Sequence, residues 1–300
     1  MRRRRAFVLL AAVLALLALA ACGGGDDQGA PEGATTAAGA DASVLAAAAE
    51  SAVDAGSSKV SVTITVTVPG QEAPATMRGE GEFDYEGRAG RLTFDAGDLL
   101  QASGLEGADE PIEVILDGDV VYMKYPLLTA FLPDAKPWLK LDVANVAEQQ
   151  GIDLSQFQQL NQNPAETLDY LRATANVEEV GTETIDGVET TKYRGVVEFD
   201  KVADFVPEAD RAELEEAIDQ LKEQTGLSEL PVEVWVDDDG LPRRISYAYD
   251  AEIQGQSFKA ALVMDFSDYG VEVSVEPPPA DQVSDLGELL SSVNAGATTG

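Results

Sequence analysis

Side chains able to carry catalysis are scarce in this 300-residue chain, which contains no histidine and one cysteine, Cys22. Without histidine, Ser-His-Asp and Cys-His nucleophilic sites and the common zinc sites cannot be assembled. No Gly-rich loop follows a strand pattern and opens a helix, as a phosphate-binding loop would. Carboxylate pairs are numerous among 54 Asp and Glu residues, but none stands out as a glycosidase pair. The sequence therefore predicts a non-enzyme without a cofactor.

The run VDDDG at 236–240 places three carboxylates side by side, as a cation site could require. Its five residues lack the longer ligand spacing of a calcium loop. Asp-Gly between two alternating apolar segments is a strong signal for a hairpin turn. We therefore predict a turn without a metal, next to which Arg243 and Arg244 can meet the aspartates.

Cys22 comes directly after an apolar segment, Ala6 to Ala21, which itself follows four arginines. The segment is shorter than the ~20 apolar residues of a membrane span, and this charge pattern is typical of a secretory signal peptide. The ending Leu19-Ala20-Ala21-Cys22 resembles the bacterial lipobox, in which the thiol receives a diacylglycerol and the preceding bond is cut. We predict a signal peptide over 1–21 and an acylated Cys22 that anchors the chain to the extracytoplasmic face of the cell membrane. The alternative is an ordinary signal peptide with an incidental cysteine.

The formal net charge of −34 excludes nucleic acid as a natural partner, because phosphate binding requires a basic surface. After the lipidated Cys22, residues up to 42 are rich in Gly, Ala, Thr and Asp, which predicts a flexible linker. A disordered tail is predicted over 294–300. Residues 43–293 between them are enough for one domain with a sizeable core.

Strand patterns dominate that domain. The segment KVSVTITVTVPG alternates valine or isoleucine with polar residues, as a half-buried strand does. Hairpins are predicted in LDGDVVYMK and around VDDDG. The other predicted strands are Thr76 to Tyr85, Gly90 to Asp95, Ile112 to Asp117, Val120 to Lys124, 137–142, Glu183 to Ile185, and those in GVETTKYRGVVEFD and SFKAALVMDF.

Helices interrupt the strands at a few places. We predict them over Ser43 to Ala55, ended by Gly56, in the middle segments LDVANVAEQQG (141–151) and NPAETLDYLRATANVEEVG (163–181), over 208–226, and over Ser284 to Leu290. Tight turns between the strands indicate an antiparallel sheet. The predicted fold class is α+β: a large, curved antiparallel sheet with helices packed on one face.

Five sequence features occur in an order that resembles the mycobacterial LppX–LprG (LppX/LprAFG) lipoprotein family. In chain order they are the lipobox, PWLKLDV, NPAETLDYL, VEEVGTETIDGVETTKYRGVVEF and LPVEVWVDDDGLPRRI. The resemblance spans roughly residues 43 to 275. It implies an open half-barrel of antiparallel strands with helices over its concave face, similar to carriers of the LolA and LolB type. It also implies a hydrophobic cavity that holds the acyl chains of envelope lipids or glycolipids.

Carrying a lipid between membranes requires an apolar container, since each exposed methylene costs about 0.8 kcal/mol in water. We therefore expect a lipid-binding or lipid-transfer lipoprotein, with a membrane transporter as a possible further partner. The alternative is an envelope sensor or regulator of the MucB/RseB type, which acts by protein contact on the same fold. A packed core would use the same side chains as a cavity wall. The candidate wall residues are Ile64, Val66, Phe83, Phe94, Ile115, Val121 and Met123 on strands and Leu160, Leu168 and Leu171 on helices.

Overall fold

The computed structural model describes residues 38–67, 73–97, 110–125, 135–142, 177–202, 208–253, 256–287 and 289. The predicted signal peptide, Cys22, the tail 294–300 and residues 143–176, which contain most of the two predicted middle helices, lie outside the described residues. The first helix, predicted from Ser43, begins earlier, at Ala38.

One twelve-stranded sheet contains every strand of the described residues. In chain order the strands are β1 Ser57–Thr67, β2 Ala75–Asp84, β3 Ala89–Asp95, β4 Ile112–Asp117, β5 Val120–Lys124, β6 Trp138–Asp142, β7 Glu178–Ile185, β8 Val188–Glu198, β9 Glu229–Asp237, β10 Pro242–Ile253, β11 Gln256–Ser267 and β12 Val283–Asp285. Their order across the sheet is β12-β6-β5-β4-β3-β2-β1-β11-β10-β9-β8-β7.

The sheet consists of two meanders, β1 to β6 and β7 to β11, in which strands that are consecutive in the chain lie side by side. The pairing of β1 with β11 joins the two meanders at the centre of the sheet. Because β12 and β7 are the two edges, the sheet does not close on itself. The predicted α+β class with a large antiparallel sheet left open is confirmed.

One pair departs from the antiparallel prediction. β12 runs parallel to β6, with Val283 opposite Trp138 and Asp285 opposite Lys140. Tight turns enforce antiparallel neighbours, but β12 reaches β6 by a long connection from the centre of the sheet, which permits the parallel direction. The predicted helix from Ser284 was therefore wrong at its start, because Ser284 and Asp285 belong to this strand.

Among the described residues, the α-helices with complete bounds are α1 Ala38–Asp54, α2 Phe199–Val202 and α3 Glu208–Thr225. A 3-10 helix, Ala280–Gln282, precedes β12, and Leu286, Gly287 and Leu289 after β12 are helical. The predicted stop of α1 is confirmed, because Gly56 follows it with φ 79°, a conformation that glycine adopts without strain. Helix α3 matches its predicted range closely. In the part of the chain that the structure describes, no helix is long and apolar enough to cross a bilayer.

The hairpin turns follow the sequence signals. β4 and β5 have their predicted bounds, with Gly118 at φ 59° in the two-residue turn between them. Asp186 and Gly187 join β7 to β8 with φ values of 47° and 87°, the signature of a type I′ turn. β7 is longer than predicted, and the helix predicted up to Gly181 is wrong for Glu178 to Gly181, which belong to this strand. The residues from Glu178 to Thr184 are exposed on both faces, so they show no hydrophobic alternation that would have indicated a strand.

Candidate functional site: the apolar face of the sheet

Alternation along β1 places Val60, Val62, Ile64 and Val66 on one side of the sheet, and the serine and threonine residues between them on the other. Residues directly paired in antiparallel strands share a face, so the register carries this side across the sheet. One row of paired residues crosses seven neighbouring strands, from β9 through β10, β11, β1, β2 and β3 to β4. In that order its residues are Val234, Ile245, Met264, Val62, Gly79, Phe94 and Ile112. We call this side the apolar face.

Half of the apolar face forms what we call the central cluster. Its buried members are Val62, Met77, Phe94, Ala96, Ile112, Val114, Met123 and Leu262. The hydrophobic residues packed around them stay partly exposed: Val60, Ile64, Leu92, Leu116, Val121, Tyr125, Tyr247 and Met264. All of these residues lie on strands β1 to β5, β10 and β11 or directly after one. The cluster is therefore a sheet surface to which α1, α2 and α3 contribute no member.

The other half of the apolar face lies under α1. Ala48 of the helix is 2% exposed, and Val44 and Leu45 of the same helix pack with it against β8 to β10. The buried strand residues in this second cluster are Tyr193, Val232, Val234 and Val236, together with Val177 just before β7. Helix α1 therefore covers the part of the apolar face formed by β8 to β10 and contributes no residue to the central cluster.

The structure brings six of the ten predicted wall residues to the apolar face. They are Ile64, Val66, Phe83, Phe94, Val121 and Met123, as their pairing partners show. Ile115 pairs with Arg91 and Tyr122, which places it on the opposite face, where it is 1% exposed. Leu160, Leu168 and Leu171 lie outside the described residues. That the six line a cavity stays a prediction.

Sequence reasoning missed several members of the same surface, among them Met77, Leu262 and Met264. The alternating segments SYAYDAEI and SFKAALVMDF contained the signal for β10 and β11.

Two half-buried tyrosines on this face were also missed. Burial raises the pKa of Tyr125 and of Tyr249, so both remain neutral phenols at physiological pH. A neutral hydroxyl on an apolar surface can still donate a hydrogen bond.

Glycines on β2 and β3 allow aromatic rings to approach the backbone closely. A Cβ atom on Gly79 would stand 2.4 Å from the Phe94 ring, and one on Gly90 would stand 2.5 Å from the Phe83 ring. At Gly81 the obstacle is backbone, since a Cβ would lie 1.9 Å from the Arg91 carbonyl oxygen. Such close contact of neighbouring backbones is a recognised reason for glycine within a strand.

Replacing Gly81 by alanine is therefore expected to lower the free energy of unfolding by about 1–3 kcal/mol, the usual cost of overpacking. The backbone of β3 cannot move aside as a flexible side chain could. Urea denaturation followed by circular dichroism measures the effect. The matched control is Glu80→Ala, which removes an exposed side chain next to it in the same strand. Equal stability of the two variants would contradict the close approach.

The opposite face of β7 to β11 is polar and well paired. The Trp235 indole N–H donates to Glu183 at 2.8 Å, and the Lys192 ammonium lies 4.5 Å from the centroid of that ring. Burial alone would raise the pKa of Glu233, but hydrogen bonds from Lys192 and Arg194 and their positive charges outweigh it and lower the pKa. These contacts link neighbouring strands through polar and charged side chains, in contrast to the hydrophobic contacts of the apolar face.

The VDDDG segment is the predicted turn. One carboxylate oxygen of Asp237 accepts hydrogen bonds from the amides of Asp239 and Leu241, at 3.0 and 2.9 Å. Its other oxygen accepts from Arg243 Nε at 2.6 Å, and the Asp237 side chain is 3% exposed. Arg244 turns instead to Asp265. The prediction that arginine meets the aspartates is correct for Arg243 and wrong for Arg244. The pairing register of β10 with β9 shifts between Pro242 and Arg244, so Arg244 lies beside Trp235 and reaches Asp265 of the next strand instead.

Two further features bear on ligands. A depression of about 410 Å³ lies along α3 and is lined by Ala212, Glu215, Glu216, Asp219, Gln220 and Glu223. Its acidic lining does not suit an alkyl chain. Among the described residues, no three acidic, cysteine or histidine side chains come together as a metal site would require.

No family model matches the chain. An uncharacterized 31.2 kDa protein from the rplA–rplJ intergenic region of Streptomyces griseus is 28% identical over 233 residues, which cover 75% of this chain and 73% of that protein.

Among solved structures, lipoprotein LppX of Mycobacterium tuberculosis matches 79% of this chain and 98% of its own, with 16% identity and a TM-score of 0.43. LprF of Mycobacterium bovis matches 80% of this chain and 98% of its own, with 14% identity and a TM-score of 0.37. The chain resembles the LppX and LprF lipoproteins. MucB, in a structure with MucA, matches 81% of this chain and 58% of its own, with 14% identity and a TM-score of 0.29.

Proposed function

We propose that this chain is a cell-envelope lipoprotein that binds or transfers a lipid or glycolipid through the central cluster of the apolar face. Acylated Cys22 would hold it at the extracytoplasmic side of the bacterial cell membrane, with the linker up to residue 42 as the tether. The described domain would then present its apolar face to alkyl chains, and a membrane transporter is a possible donor or acceptor of the lipid.

The observation that carries the proposal is the partial exposure of so many large apolar side chains on one side of a sheet. Val60, Ile64, Leu92 and Met264 remain partly accessible, whereas a closed core would bury them. Alkyl chains placed over them would be removed from water, which stabilises the complex by about 25 cal/mol per Å² of buried apolar surface. The lipobox-like sequence before Cys22 supports the envelope location independently of this surface.

A charge placed on the apolar face tests the proposal. Ile64→Glu is expected to reduce bound lipid severalfold, since an ionised carboxylate among alkyl chains loses its hydration. The neighbouring change Thr63→Glu puts the same charge on the opposite face, beside Arg78, and is expected to leave lipid content unchanged. Both variants would be secreted with Cys22 replaced by serine to prevent acylation, and extracted lipid would be counted per chain by mass spectrometry.

Circular dichroism of both variants separates lost folding from lost binding. Folded Ile64→Glu with the same lipid content as folded Thr63→Glu would contradict binding at the central cluster. Wild-type protein without lipid, and without uptake of a fluorescent fatty acid, would contradict lipid binding as such.

The alternative role, regulation by protein contact, draws support from the exposed strand β7 at the edge of the sheet. It predicts a stoichiometric protein partner and no bound lipid. A pull-down from solubilised membranes, combined with the same lipid analysis, distinguishes the two roles.

A further inference from the structure

We propose that the outer edge of β7 binds an extended, basic segment of a protein partner, which adds to the sheet as a further strand. This inference concerns the edge of the sheet and does not depend on lipid binding at the apolar face. Adding a strand to an open edge is a common way to recognise peptides, because the main chain supplies the hydrogen bonds.

Length and exposure distinguish β7 from the other edge. The strand at that other edge, β12, has three residues, too few to guide a partner, whereas β7 has eight. Seven consecutive residues of β7, Glu178 to Thr184, are exposed. Val180 is 43% exposed and is the exposed large hydrophobic residue of the described part of the chain. The pairing with β8 shifts register between Glu179 and Gly181, at Val180, so the regular accessible edge runs from Gly181 to Ile185.

The hairpin geometry tells which main-chain groups are available. Ile185 and Val188 flank the two-residue turn, so they form a hydrogen-bonded pair, and the pair Glu183–Thr190 does the same one step further. Thr182 and Thr184 lie between these positions, so they belong to the pairs that exchange no hydrogen bonds with β8. Their N–H and C=O groups therefore point away from β8 and towards the open edge.

Charge selects the partner. β7 carries three exposed carboxylates, from Glu178, Glu179 and Glu183, on a chain of net charge −34. Glu178 also lies 3.6 Å from Arg194 and Glu183 accepts from Trp235, so a basic segment would share these two carboxylates with their partners on the sheet. Like charges across an edge repel, so a second copy of this chain is disfavoured. Lysine or arginine side chains on an added strand would lie opposite these carboxylates on one face or the other. A basic, extended segment is the occupant that matches both the edge and its charge.

Synthetic peptides provide the test with the full chain in mild detergent. The probe is a labelled peptide of about ten residues that alternates threonine and lysine, which spans the length of β7. We expect it to bind at moderate salt, and we expect the glutamate analogue not to bind. A lysine peptide with N-methyl groups on alternate residues has the same charge but cannot complete the ladder, and we expect it to bind poorly.

A proline substitution locates the binding. Thr182→Pro removes an outward N–H without touching the ladder to β8, and it should weaken binding by about tenfold through lost main-chain hydrogen bonds. Thr182→Val keeps that N–H and should bind as the wild type does. If folded Thr182→Pro, or the N-methylated peptide, binds equally well, attraction by general acidity explains the result and the proposal is overturned.

Hydrogen exchange keeps the test decisive if Thr182→Pro does not fold. In the wild-type chain, the amides of Thr182 and Thr184 should exchange quickly when free and slow down when the lysine peptide is added. Unchanged exchange at both amides, or no binding of the lysine peptide, would overturn the proposal. Neither result bears on the lipid content of the same protein, so the two proposals can fail separately.

Discussion

Replacing Asp237 by alanine is expected to lower the free energy of unfolding by about 3–5 kcal/mol, the usual cost of breaking a buried ion pair. The substitution leaves Arg243 without its carboxylate and leaves the turn amides of Asp239 and Leu241 without their acceptor. These two amides are only partly buried, so each adds less than the full desolvation cost of a buried donor. Urea denaturation, followed by tryptophan fluorescence, measures the loss.

Two controls lie at the same turn. Asp238→Ala removes an exposed carboxylate one residue away and should change stability by less than about 0.5 kcal/mol, as exposed substitutions usually do. Asp237→Asn keeps an acceptor for the turn amides but loses the ion pair, so it should fall between the two alanine variants. A loss at Asp237→Ala no larger than at Asp238→Ala would show that the buried pair does not hold this turn.

Replacing Cys22 by alanine is expected to move nearly all of the chain from the membrane fraction to the soluble envelope fraction. The physical reason is that stable attachment requires more than one acyl chain, and the proposed anchor supplies them all at this thiol. Fractionation followed by immunoblotting measures the distribution, and mass spectrometry of the N-terminal peptide reports the lipid. The matched control, Thr35→Ala in the predicted linker, should leave both unchanged.

A Cys22→Ala chain that stays in the membrane fraction at the wild-type level would show that something other than this cysteine holds it there. An unmodified Cys22 in the wild-type chain would remove the lipoprotein proposal altogether. The proposed lipid binding at the central cluster would survive that second result, because Ile64 and its neighbours do not depend on the anchor.

Strands with one buried face were predictable, because burial imposes alternation on their side chains. β4 and β5 have their predicted bounds, and β1 is found where KVSVTITVTV places it. β7 was largely missed because an edge strand exposed on both faces needs no apolar period. β12 was missed because its pairing with β6 depends on a distant part of the chain, and its three residues carry no local signal.

The candidate site was predictable by residue type and only partly by position. Ile64 and Val66 follow a strict alternation, so their common face could be derived from β1 alone. Val114 and Ile115 are consecutive apolar residues, and only pairing with β3 and β5 decides which of them faces the central cluster. The opposite face also buries large groups, Ile115 and Trp235 among them, so apolar character did not identify the face.

The pairing of β1 with β11 also has a consequence for how the chain folds. Val60 lies opposite Phe266, so the two meanders meet through residues from opposite ends of the domain. Each meander can assemble from neighbouring strands, but their junction must close a very long loop, which is entropically costly and slow. If the chain is exported from its N-terminus, the first meander reaches the extracytoplasmic side before β11 does. Until β11 follows, the main-chain groups of β1 on that side have no strand to pair with. That interval is when the molecule is most open to proteases and to pairing with the wrong strand.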